Sequence, residues 1–425
     1  MKHDLKLWAC LALLLPAQLT WAQFNKYFEN KTLRMDYYHC GDSKSEEFYF
    51  DELLEEPYWG GSKTNLIDTM YYGNYFLNVY DVASNKLIYS RGFSTLFWEW
   101  QTTIEATKTR RGCIESAVMP YPKQDVRIEI MARDKKGKFN KKFEYTVDMD
   151  SYFIKKDRRS AYPTYEVLYS GDPAKKVDIV LIPDGYTADE MEQFKIDCQR
   201  FVEGLFSFSP YKERKSAFNV RAVLAPSRES GVDIPAENAW KTTVLNTSFY
   251  TLDSERYLMT FDNKSMHDVA ANVPYDYIYI IANTQKYGGG AIYNHYGISV
   301  SGNIQAAKVY VHEFCHLFAG IGDEYEGDVS YNDMYPTNVE PWEPNITTLV
   351  HFEKKWKDMI APGTPVPTPL KDPNSKTIGA YEGGGYRTKG VYRAWPDCLM
   401  RTLRGDLFCP VCVRAINRQI DFYTK

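Results

Sequence analysis

Five consecutive residues, His312-Glu313-Phe314-Cys315-His316, place two imidazoles and a carboxylate at a spacing that suits a metal ion. In a helix of 3.6 residues per turn, His312 and His316 lie one above the other and can reach a single ion. Glu313 is rotated about a third of a turn from His312, so it can approach water on that ion without being a ligand. This division of labour is what metal-assisted hydrolysis needs. Zinc lowers the pKa of bound water to about 7, and a carboxylate beside it takes the proton as the water attacks a carbonyl.

Two imidazoles do not close a site, and a helix cannot curl around its own ion. The next donor must follow the helix end, where Gly320 is suited to the left-handed conformation that terminates a helix. Three residues later stands Asp323. In the metzincin pattern HExxHxxGxxH the third donor also lies three residues past the glycine. Here the glycine comes one residue later and aspartate replaces histidine, and a carboxylate is a competent zinc ligand. Asp323 is the favoured third ligand, with Glu324 as its main rival and Glu353 as a further one. A metzincin-like site also calls for a methionine turn under the metal, and Met400 in DCLMR (Asp397 to Arg401) is placed for it. Tyr325 and Tyr392 are candidate donors to the developing oxyanion.

The elements that must hold these groups are readable in outline. Ile304 to Ala319 is apolar around most of its circumference, as a buried helix is. Upstream, VDIVLIP (Val177 to Pro183), FNVRAVLA (Phe218 to Ala225) and YDYIYIIANT (Tyr275 to Thr284) read as strands. Thr187-Ala-Asp-Glu190 is a capping box that opens a helix with apolar residues at Met191, Phe194, Cys198, Phe201 and Leu205. APGTPVPTP (361 to 369) can be neither helix nor central strand, and CVRAINRQIDFY closes the chain with helical periodicity. The glycines of YGGGAIYNHYGISVSGN (Tyr287 to Asn303) would let a substrate strand approach a sheet edge, with His295 as a surface residue.

Before that region the pattern alternates. YFLNVYD turns through ASNK into LIYSRGF, and VRIEIMA turns into FEYTV, with no convincing amphipathic helix. Residues 23–155 therefore read as an all-β sandwich and 156–425 as an α/β domain, divided at the charged run from Lys155 to Arg159. The first 22 residues have basic Lys2 and Lys6, an apolar run and small residues around Ala22, the layout of an export signal cleaved after Ala22. A lipid-anchor reading would use Cys10, which precedes most of the apolar run. The net charge of −4 offers no basic field for nucleic acid, and no other segment resembles a membrane span. Without Cys10, seven of the eight cysteines remain. Cys409-Pro-Val-Cys412 lacks the second CxxC of a zinc ribbon, so a local disulfide, with Cys398 as a candidate partner, is expected there, with buried free thiols as the alternative. The acidic residues Glu324, Glu326 and Asp328 lack the alternation of a calcium loop and read as solvated or structural.

HEFCHLFAGIGDEY (His312 to Tyr325) resembles the HExxHxxxGxxDEY signature of the IgA peptidase family of zinc metallopeptidases. SRESGVDIP (Ser227 to Pro235), GGGAIYN (Gly288 to Asn294) and CLMR are similar to other blocks of its catalytic domain, and the preceding segment is similar to the all-β domain found before it. The resemblance implies His312, His316 and Asp323 as zinc ligands, Glu313 as base and Met400 as the turn beneath the metal. It does not imply immunoglobulin A as substrate. The expectation is an exported, two-domain zinc metalloendopeptidase, metzincin-like in its catalytic part and acting on protein or peptide. Its rivals are a non-enzymatic surface binder with a structural metal and a zinc amidase acting on cell-wall peptides.

Overall fold

A computed structural model describes residues 23–157, 159–327, 334–405 and 407–425. The expected export signal with Cys10 and its cleavage point, and Asp328, lie outside the described residues.

Eight strands come first: β1 (Phe28–Gly41), β2 (Glu46–Glu56), β3 (Tyr75–Asp81), β4 (Lys86–Phe93), β5 (Arg111–Pro122), β6 (Val126–Arg133), β7 (Phe139–Val147) and β8 (Ile154–Lys155). They make two four-stranded sheets, β5-β1-β2-β8 and β4-β3-β6-β7. Leu33, Met35 and Met119 of one sheet share a buried core with Leu77, Val79 and Ile128 of the other. The alternation in YFLNVYD has this cause: Leu77 and Val79 are buried, while Asn78 and Tyr80 between them are only half-buried.

β1 does not alternate cleanly because it buries a charge. Arg34 is 1% exposed and reaches Asp36 at 3.1 Å, Glu56 at 3.2 Å and Asp268 at 2.9 Å. A helix also interrupts this all-β region. α1 (Leu96–Gln101) is capped by the Thr95 hydroxyl, which accepts the Trp98 amide at 3.2 Å, and it buries Leu96, Phe97 and Trp100. The charged run is more than a solvated face, since Lys155 and Arg159 both pair with Glu52 of β2.

A third, six-stranded sheet contains β9 (Thr164–Leu168), β10 (Val177–Asp184), β11 (Phe218–Val223), β12 (Tyr277–Ala282), β13 (Gly289–Ala291) and β14 (Tyr296–Val300). Their order is β13-β14-β12-β10-β11-β9, with a parallel centre and an antiparallel strand at each edge. Every residue of β10 is buried, which explains its apolar run from Ile179 to Pro183. Ile179 and Leu181 face α2 (Met191–Leu205), α4 (Ala306–Ala319) and α5 (Pro410–Thr424). Val180 and Ile182 face α3 (Asn263–Ala270), a helix too short and polar to stand out in the sequence. The capping box forms, Glu190 accepting the Thr187 amide at 2.8 Å. A last small sheet, β15-β17-β16, is built from β15 (Ile346–Thr347), β16 (Tyr381–Gly384) and β17 (Arg387–Arg393).

Candidate metal centre

α4 carries His312, Glu313 and His316, and its buried residues include Val309, Tyr310, Phe314, Cys315 and Phe318. Gly320 ends it at φ 60°. The bend is tight, because a Cβ on Gly320 would come within 2.7 Å of the Trp342 ring and 3.1 Å of Tyr293. The chain then turns back over the imidazoles and delivers Asp323.

The three expected donors converge. Oδ1 of Asp323 lies 3.1 Å from Nε2 of His312 and 3.3 Å from Nε2 of His316, and the two Nε2 atoms are 3.1 Å apart. Tetrahedral zinc with bonds of about 2.0–2.1 Å needs ligand separations of roughly 3.3 Å, so the spacing fits. The far ring nitrogens make the case stronger. Nδ1 of His312 faces the Leu399 carbonyl at 3.1 Å, and Nδ1 of His316 faces the Ile321 carbonyl. A carbonyl only accepts, so each Nδ1 carries the proton and each neutral Nε2 presents a lone pair to the same point. Two lone pairs and a carboxylate facing one another require a cation. Where only a proton fills that role, burial opposes it but the Asp323 charge outweighs burial, pushing His316 up to about 9. Asp323 is itself held well below its ordinary value: burial resists, and the His316 charge and imidazole hydrogen bonds overcome it.

Glu313 faces the same cleft, its carboxyl raised chiefly by burial and lowered in part by the two histidines. Met400 is fully buried in the turn after Leu399, and its carbonyl accepts the Glu324 amide at 2.9 Å. The turn therefore supports both the first histidine, through Leu399, and the third-donor segment.

The other candidates separate. Glu324 turns away from the imidazoles, toward Asn345 and Cys398. Glu353 sits 60% exposed beside His351, outside the cleft lining. Glu326 pairs with Arg393 and Arg401, each at 3.0 Å, so two cations already hold it. Tyr325 lines the cleft, and its hydroxyl accepts from Arg256 at 3.1 Å. Tyr392 lies on β17, packed against the core and not among the cleft residues.

Several expectations need correcting. The cysteines of the described residues are all free thiols; Sγ of Cys409 and Cys412 stand 3.4 Å apart, without the expected disulfide. His295 is no surface residue: it bonds Asn263 at 2.5 Å, and burial lowers it to about 4. The glycines before the histidine helix line the cleft, but the space a side chain would take at two of them is filled. Gly288 is occupied by the Phe249 ring and Gly290 by Tyr257, while the Gly289 amide donates to the Arg256 carbonyl at 3.1 Å.

Two residues carry no recognisable signal in the sequence. Tyr386, between β16 and β17, donates its hydroxyl to Oδ2 of Asp323. It adopts φ 64°, and its hairpin is strapped to the third-donor segment by Gly385 N–H to Asp323 O at 2.8 Å and Tyr386 N–H to Tyr325 O at 3.0 Å. Glu99 of α1 bonds the Tyr257 hydroxyl on the cleft wall, where burial first, and then Glu313 and Asp323, raise it to about 7 against the pull of Tyr257 and His316. The cleft is thus walled by both parts of the chain, with Asn74 and Trp98 on one side and His312 and Tyr386 on the other.

Comparison with known families agrees with this architecture. Residues 165–376 and 370–420 match the profile described as IgA Peptidase M64, and residues 23–144 match that of the Peptidase M64 N-terminus. A search of curated proteins returned no match. Among the described residues no helix is long and apolar enough to cross a membrane. With most of its length matched by the two profiles, the chain belongs to the IgA Peptidase M64 family and is a peptidase.

Proposed function

We propose that this peptidase is an exported zinc metalloendopeptidase, with a sandwich-type accessory domain (23–155) and a metzincin-like zincin domain (156–425). One observation carries the reading: two imidazoles, each pinned through Nδ1 to a backbone carbonyl, present Nε2 to the same carboxylate oxygen within 3.3 Å. His312, His316 and Asp323 would hold the ion. Zinc bound there supplies a Lewis acid for the substrate carbonyl and acidifies water.

The chain's own groups do the rest. Glu313 takes a proton from the attacking water and returns it to the leaving amine. Its burial favours this by raising its affinity for the proton in transit. Tyr386 holds Asp323 by Oδ2, so that Oδ1 stays on the imidazoles. Tyr325, oriented by Arg256, is placed to donate to the oxyanion. The polypeptide lies in the cleft between Trp98 and the histidine helix, a cleft that β13 also lines. Among the described residues three donors meet, and a set of three favours catalysis over a purely structural ion.

Zinc-loaded protein given unfolded polypeptide and, separately, peptidoglycan fragments tests the reading. Cleavage of the polypeptide alone supports it. Cleavage of the fragments alone moves the chemistry to a cell-wall amide.

A further inference from the structure

Behind the metal centre, on the far side of the same chain segment, four more donors meet. Sγ of Cys398 lies 3.1 Å from Oε2 of Glu324, Sγ of Cys412 lies 3.5 Å from Oε1, and Sγ of Cys409 lies 3.4 Å from Sγ of Cys412. One ligand atom from each falls within 4.8 Å of every other, and all four residues are buried. We propose that Glu324, Cys398, Cys409 and Cys412 form a second, structural metal site that takes a thiophilic divalent cation, zinc above all.

The spacing suits that ion. With Zn–S near 2.3 Å and Zn–O near 2.0 Å, tetrahedral geometry sets S···O at roughly 3.5 Å and S···S at roughly 3.8 Å. Thiolate donors select zinc over harder cations. Charge points the same way. Among the described residues the Glu324 carboxylate accepts from Asn345 at 3.0 Å and from two thiols, with no lysine or arginine bonded to it. A fully buried carboxylate without a cation is costly, and a divalent ion removes the cost. Cys409 is also the N-cap of α5, with the Cys412 amide donating to its sulfur, and a helix N-terminus favours a thiolate.

Four protein ligands leave no position for water, so this site would be structural, not catalytic. It would clamp three segments: the bend carrying Asp323, the turn carrying Met400 and the start of α5. Sequence spacing hides it, because the donors are a CxxC pair, one cysteine from the methionine turn and a carboxylate beside the third ligand of the first site.

The test counts metal in the full chain purified with zinc, beside His312→Ala/His316→Ala and Cys409→Ser/Cys412→Ser, by elemental mass spectrometry. Wild type should carry two zinc ions and each double variant one. Cobalt(II) loaded into the imidazole variant should keep sulfur-to-cobalt charge-transfer absorption, a readout that does not require the thiol variant to fold. Wild type with a single ion that vanishes in the imidazole variant overturns the second site and leaves the first intact. So does a disulfide-linked peptide joining any two of Cys398, Cys409 and Cys412.

Discussion

The Tyr386 hydroxyl donates to Oδ2 of Asp323, while Oδ1 of the same carboxylate faces both imidazoles. On the proposed reading, one oxygen serves orientation and the other coordination. Tyr386→Phe should weaken zinc binding by about 10- to 100-fold, the usual cost of losing a group that orients a ligand. Competition with a chromogenic chelator measures it; unchanged affinity would release Tyr386 from this role.

Glu313→Gln should retain zinc and lose about 10²- to 10⁴-fold in kcat, since the amide keeps the shape of the base but cannot accept the proton. Metal content and turnover of an unfolded polypeptide, measured on the same sample, check both halves. Asp323→Ala should instead lose the ion bound to the imidazoles, whereas Glu324→Ala should leave that ion in place.

Tyr325→Phe should lower kcat by about 10²- to 10³-fold with little change in KM, because an oxyanion donor acts mainly in the transition state. A rise in KM at constant kcat would make Tyr325 a substrate-binding residue.

Gly320→Ala should cost at least about 1–2 kcal/mol. The left-handed conformation accounts for that much, and the close approach of Trp342 and Tyr293 adds to it. Urea unfolding of the metal-free chain measures the loss without interference from zinc.

A pH-sensitive contribution to stability resides in the first part of the chain. His39 stacks between Phe48 and Phe97, with Nδ1 2.9 Å from Glu115 and Nε2 3.3 Å from Glu46. Tyr37 donates to Glu115, Tyr75 donates to Glu46, and Lys142 lies near Glu46. Burial disfavours the His39 proton, yet Glu115 and Glu46 outweigh it and hold His39 above its ordinary 6.5. Glu46 is held below 4.5, burial being overcome by His39 and Tyr75. The His39 contribution is complete below 6.5 and is lost as pH rises through the folded-state value. That of Glu46 is complete above 4.5 and is lost as pH falls. The pair therefore stabilises most between 4.5 and 6.5. A tenfold difference in proton affinity between the folded and unfolded chain is worth about 1.4 kcal/mol. His39→Gln should flatten the decline in urea midpoint on the alkaline side.

The parts legible in the sequence were those governed by local periodicity. The histidine helix, its terminating glycine and the carboxylate that follows it lie within a dozen residues, where 3.6-residue geometry governs. β10 and β12 announce themselves by apolar runs because both faces are covered. What stayed hidden depends on distant pairing. β1 reads as polar because Arg34 is neutralised by Asp36, Glu56 and Asp268, two of them far along the chain. Tyr386 reaches Asp323 from 63 residues away, through a hairpin turn that no helical or strand pattern marks. The CxxC pair suggested a disulfide because its partners come from two other segments.

Asp323 and Glu324, consecutive in the chain, serve opposite faces of one segment, the first on the imidazoles and the second among the thiols. The count of residues after Gly320 is therefore a fixed dimension of the molecule. Deleting a residue there would put Glu324 where Asp323 stands, and inserting one would put Asp323 where Glu324 stands; either would unseat both clusters together, whereas a change of side chain at Ile321 or Gly322 would leave that register intact.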